Sequence, residues 1–240
     1  MKEEYHKWHS QFIDREFEML VFGDKGYPVI IFPTSKGRYF QAKDFGLIDA
    51  ISKFINSGKV KIYCPDSLDN ESWYNESIHP AERVKNHVLY EHLILRDVID
   101  YAVHETGFKK VAVAGCSFGG YHAANLTFKH PDKIGNMISM SGASDIKRLL
   151  NGYYDDNIYF NNPPDYLQNL NDDWYLDRIK QIQIILGVGD DDICLNENLV
   201  LSDILTNKQI PHLLDVRKNT KHDWKYWKEM FVEYLNKIKV

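Results

Sequence analysis

Only three cysteines, Cys64, Cys116 and Cys194, occur in 240 residues, and they lie far apart. An odd number at wide spacing builds neither a disulfide framework nor a Cys-x-x-Cys metal site, so all three read as reduced thiols. Long apolar runs are missing too. None approaches the roughly 18 residues of a membrane span, and the opening MKEEYHKWHS is charged and lacks an apolar signal core. A cytoplasmic protein with no membrane partner is expected. Nor is there a basic excess: 29 Lys and Arg against 34 Asp and Glu leave a formal charge of −5. The lysines from Lys208 to Lys239 are interleaved with acids, so no basic stripe tracks a phosphate backbone, and nucleic acid is not an expected partner. The 14 Gly and 8 Pro form no linker, and no repeat or low-complexity block marks a boundary. One continuous domain over residues 1–240 is the economical reading.

What is present is 44% hydrophobic and 26% charged, a globular balance that rules out disorder, collagen and coiled coil. Apolar runs of strand length recur at Phe17–Phe22, Val29–Phe32, Val60–Cys64, Val111–Ala114, Met137–Met140, Ile182–Val188 and Leu213–Val216. Several are apolar on both faces, as in parallel strands covered by helices on each side. Helical periodicity runs from about Ala81 to Glu105, through Val84, Val88, Leu95, Ile99 and Val103, and returns in the stripe Trp224, Trp227, Phe231, Tyr234 and Ile238. Alternating strand and helix predict a three-layer α/β/α sandwich with a mostly parallel central sheet, preceded by an antiparallel hairpin from about Glu4 to Phe22. The stretch from about Ala143 to Lys180 is rich in Tyr, Asn, Asp and Pro and has no clean period. It reads as a lid or insertion.

In VAVAGCSFGG a short apolar strand meets a glycine-rich turn and then a helical segment, YHAANLTFKH. Gly115, Ser117 and Gly119 form Gly-x-Ser-x-Gly, the nucleophile elbow, whose tight turn lifts the serine hydroxyl clear of the sheet. A glycine-rich turn with an incidental serine is the plain alternative; a dinucleotide loop fails because position 117 is serine. Cys116 sits one position early and reads as a buried structural thiol.

A serine hydroxyl attacks an ester only if a histidine takes its proton and a carboxylate orients that histidine. After Ser117, the strand IQIILGVG runs into Asp190, Asp191 and Asp192, and spacing alone does not choose among them. Downstream of these the histidines are His212, at a strand start where packing is the simpler role, and His222, in a polar loop before the Trp-rich helix. His222 is the candidate base. His122, on the helix after the elbow, is expected to point away from Ser117. One oxyanion donor should be the backbone N–H of Phe118, and the other should come from FPTSKGRYF, with Thr34 and Ser35 as candidates.

With GCSFGG around Ser117, GVGDDD ending at Asp192, KHDW around His222 and, more loosely, FPTS and DSLDNESWYN, the chain resembles the esterase family of α/β-hydrolases that includes formylglutathione hydrolases, feruloyl esterases, enterochelin esterases and mycolyltransferases. The resemblance spans nearly the whole chain and implies an α/β-hydrolase fold. It implies Asp192 as the triad acid, the N–H of Ser35 beside that of Phe118 in the oxyanion hole, and Trp73 and Tyr74 at the substrate pocket. Thr220 stands where family members often carry glycine two residues before the base. The function expected is serine carboxylesterase action on a small-molecule ester, with no metal or organic cofactor. Acyl transfer to an alcohol other than water, and a catalytically silent binding scaffold, are the alternatives. Homo-oligomerisation is left open.

Overall fold

Eight strands hydrogen-bond into one sheet in the order β1-β2-β4-β3-β5-β6-β7-β8, seen in a computed structural model that describes residues 1–238. They are β1 (Glu3–Ser10), β2 (Arg15–Phe22), β3 (Tyr27–Phe32), β4 (Val60–Pro65), β5 (Val111–Cys116), β6 (Ile134–Met140), β7 (Gln183–Asp191) and β8 (Leu213–Lys221). β1, β2 and β4 pair antiparallel in turn, and the rest are parallel. The N-terminal hairpin and the mostly parallel sheet are as the sequence pattern predicts. Every residue of β3, β4 and β5 is buried, which is why their sequences are apolar on both faces, whereas edge strand β1 alternates in exposure.

Helices α1 (Gln41–Asp44), α2 (Leu47–Ala50) and α3 (Ser52–Asn56) follow β3, and α4 (Pro80–Leu93) and α5 (Asp100–Thr106) follow β4. Next come α6 (Phe118–Lys129), α7 (Asp156–Tyr159), α8 (Pro163–Asn169), α9 (Asp173–Ile179), α10 (Leu195–Asn207) and α11 (Trp224–Leu235). One core lies between the sheet and α4, α5, α6 and α8 to α10; the other is closed by α1 to α3 and α11. Ile238, expected on the α11 stripe, lies past the helix end yet packs in that second core. No helix among the described residues is long and apolar enough to cross a membrane.

Two segments differ from the periodicity reading. The stretch expected as one helix is helical throughout, but widens to π spacing over Ile94–Ile99 between α4 and α5. The stretch from 143 to 180 holds a 3-10 turn at Lys147–Leu149 and three α-helices of only four to seven residues, too short to display a 3.6-residue period. Local chemistry starts them. The Asp155 and Asp172 carboxylates accept from the amides of Ile158 and Trp174, and prolines open α8.

Candidate active site

Ser117 sits between β5 and α6 with φ 54° and ψ −121°, a strained conformation costing about 1–3 kcal/mol. Its neighbours hold it there. The Ser117 amide donates to Met140 O at 2.9 Å, and its carbonyl accepts from Gly120 and Ala143. A Cβ on Gly115 would lie 2.2 Å from the Gly119 backbone, and one on Gly119 would lie 2.5 Å from Phe32 O, so the turn closes only with glycine at both positions.

His222 occupies the short junction between β8 and α11, where Asp223 caps the helix by accepting from the Lys225 amide at 2.8 Å. The Trp227 ring stands perpendicular to the imidazole, 4.8 Å away. His222 Nε2 lies 2.9 Å from Ser117 Oγ, across 105 residues of sequence, and Nδ1 lies 2.9 Å from Asp192 Oδ1. The structure therefore brings Ser117, His222 and Asp192 together.

Asp192 is buried, and its oxygens also accept from Ser141 Oγ at 2.6 Å and the Cys194 amide at 2.8 Å. Burial alone would raise its pKa, but the hydrogen bonds from His222, Ser141 and Cys194 outweigh it and hold the carboxyl below its ordinary value. Asp190 instead accepts from the Thr220 amide, and Asp191 pairs with Lys221 at the surface. His212 bonds Ser202 and the Ile210 carbonyl, away from Ser117. Cys116 is buried, and desolvation raises its pKa.

The loop after β3 makes a turn in which the Gly37 amide donates to Thr34 O at 2.8 Å. The Thr34 amide is occupied by Gln41 Oε1, whereas among the described residues the amides of Ser35 and Phe118 donate to no protein group. Tyr74 is half-buried, its hydroxyl 2.8 Å from Ser35 Oγ and its ring edge-on to Phe118. Trp73, expected at the substrate pocket, has 0% exposure and packs on His87 and Tyr121.

The sequence reading missed Ser141 and assigned Trp227 only to packing. The Trp227 indole N–H donates to Ser141 Oγ at 2.8 Å, and that hydroxyl donates to Asp192. The available signal was position: Ser141 directly follows the carboxyl end of β6. Asp192, Cys194 and His222 also present ligand-type atoms within 4.8 Å of one another. Desolvation pushes the Cys194 thiol up to about 12. The carboxylate is already engaged by three donors.

A model of the family described as "Putative esterase" matches residues 25–238. No curated protein matches the chain by sequence. Similar solved structures include a ferulic acid esterase at 18% identity and TM-score 0.79, covering 99% of each chain. The S-formylglutathione hydrolase FrmB of Staphylococcus aureus, at 18% identity and TM-score 0.71, covers 98% of this chain and 96% of its own. MPT51 (FbpC1) of Mycobacterium tuberculosis, at 14% identity and TM-score 0.73, covers 99% of this chain and 98% of its own. At these identities the structural likeness establishes the shared α/β-hydrolase fold. The family match spans nearly the whole chain, and the chain belongs to the esterase family, enzymes acting on carboxylic esters.

Proposed function

We propose that this protein is a serine carboxylesterase that hydrolyses a small-molecule ester through an acyl-enzyme. Ser117 Oγ–H donates to His222 Nε2, and Oγ attacks the ester carbonyl carbon as the proton passes to the imidazole. The imidazolium is steadied by Nδ1–H donating to Asp192, whose lowered pKa keeps it ionised near neutral pH. The free amides of Ser35 and Phe118 would receive the negative oxygen of the tetrahedral intermediate, each worth about 3 kcal/mol when well aimed. Collapse breaks the bond to the alcohol, which leaves with the proton from Nε2. Water then gives its proton to Nε2, attacks the acyl carbon and releases the acid, returning the proton to Oγ.

Residues 143–150 pack beside the elbow, with Ala143, Ile146 and Leu150 buried in one cluster with Phe118. Beyond them, α8 and α9 pack on α6, and α7 packs on α4. The similar structures named for ferulic acid and S-formylglutathione make small acyl groups the first substrates to try.

The observation that carries the reading is the hydrogen-bonded sequence from Ser117 Oγ through His222 to Asp192, at 2.9 Å for both links. Purified protein should turn over short p-nitrophenyl esters and take a fluorophosphonate label. Ser117→Ala should lower kcat by roughly 10⁴ or more and abolish labelling. Equal rates in the two proteins would end the proposal.

A further inference from the structure

We propose that Asp69 and His122 are positioning residues that tie the two halves of the oxyanion hole together. The inference rests on the esterase reading, which makes the amides of Ser35 and Phe118 the donors. Ser35 and Lys36 are the central residues of the Thr34–Gly37 turn, and Lys36 has φ 58°, a left-handed conformation that few residues besides glycine and asparagine adopt readily. Such a turn keeps its shape only if its surroundings impose it. Here the Lys36 amide donates to Asp69 Oδ2 at 2.9 Å. Thr34 is held by Gln41 on one side, and Ser67 Oγ donates to Gly37 O at 2.7 Å on the other. The Ser35 amide is thus fixed at both flanks while remaining unbonded itself.

Asp69 is only 1% exposed, and a carboxylate so buried must be partnered on both oxygens. Its second oxygen, Oδ1, lies 2.9 Å from Nε2 of His122, which is itself 3% exposed. His122 is one helical turn along α6 from Phe118, and its ring packs edge-on against the Phe118 ring at 5.1 Å. A single buried bridge therefore runs from the helix that carries one donor, through His122 and Asp69, to the turn that carries the other. An apolar pair could fill this space, but it would leave the Lys36 amide without its acceptor and the turn free to flip.

The test uses the full chain carrying Asp69→Ala, Asp69→Asn, His122→Phe, or Asp69→Ala combined with His122→Phe. Turnover of a p-nitrophenyl ester is normalised to the endpoint amount of fluorophosphonate-labelled Ser117, so that misfolded molecules are not counted. Amide hydrogen exchange over residues 34–37 is followed separately. Asp69→Ala should lower kcat roughly 10- to 100-fold with KM within about threefold, because the donor is misplaced rather than the substrate site lost. Exchange over 34–37 should quicken. Asp69→Asn retains an acceptor for Lys36 and offers a donor to His122, and should recover kcat to within about fivefold of the parent protein. The double variant should be no slower than Asp69→Ala alone, since both changes break one bridge. Normalised kcat within threefold of the parent in Asp69→Ala, or an effect confined to KM, would overturn the proposal. So would full addition of the two single effects. The exchange measurement needs no catalysis: unchanged protection of 34–37 rejects the bridge even if Ser117 proves not to be the nucleophile.

Discussion

The three aspartates at the end of β7 are chemically identical and one residue apart, yet they meet different surroundings. Asp190 receives the Thr220 amide, Asp191 faces solvent beside Lys221, and Asp192 turns inward to His222, Ser141 and the Cys194 amide. Spacing could not separate them, because all three stand where a strand delivers side chains to a site. The choice of Asp192 came from resemblance alone. Asp192→Asn is expected to lower kcat by roughly 10³–10⁴, by leaving the imidazole in the wrong tautomer. Asp190→Asn and Asp191→Asn should each stay within about threefold when assayed on the same ester. Trp73 and Tyr74 illustrate the same limit: adjacent aromatics looked equivalent in the sequence, but only Tyr74 reaches the Ser35 loop. Ser141 and Asp69 were illegible for another reason. Their roles arise from partners 51 and 53 residues away in sequence, and no local pattern encodes such pairings.

Among elements, the strands were legible because burial on both faces leaves an unbroken apolar run, and the elbow because its steric demands leave little choice but glycine. Short capped helices and the π-spaced turn were not, since neither departs from its surroundings in periodicity. The junction of β5 and α6 yields a direct contrast between glycines. Gly119→Ala forces a Cβ to 2.5 Å from Phe32 O and 2.6 Å from Pro33 O, backbone atoms at the end of the neighbouring strand β3 and just past it that cannot easily move. A loss of about 3 kcal/mol or more is expected in chemical denaturation. Gly107→Ala, at φ 76° with nothing within 4 Å of the new Cβ, should lose only about 1 kcal/mol. Comparable losses at the two sites would mean that the close approach of helix and strand is not what requires glycine at 119.

For the molecule as a whole, the hairpin and the layering were readable in advance, but the strand order was not, because it depends on pairings between distant segments. One tie between layers of sequence is Glu91 of α4, buried against Lys129 and His130 at the end of α6. Burial pushes its carboxyl up, but the bonds from His130 and Lys129 prevail and bring it down to about 2. Because the folded pKa lies below the unfolded one, the native state binds fewer protons. Stabilisation is then complete above about pH 4.5 and fades as pH falls toward 2. Glu91→Gln should be roughly 3 kcal/mol less stable at pH 7. The gap between the two denaturation curves should close on acidification, and a gap independent of pH would refute this assignment. The sheet order has its own consequence. The hydroxyl follows an interior strand, β5, flanked on both sides, whereas the imidazole follows an edge strand, β8, anchored along a single margin. Peeling of that margin would part His222 from Ser117 while seven strands stay paired, so under the proposed mechanism catalytic silence would come before collapse.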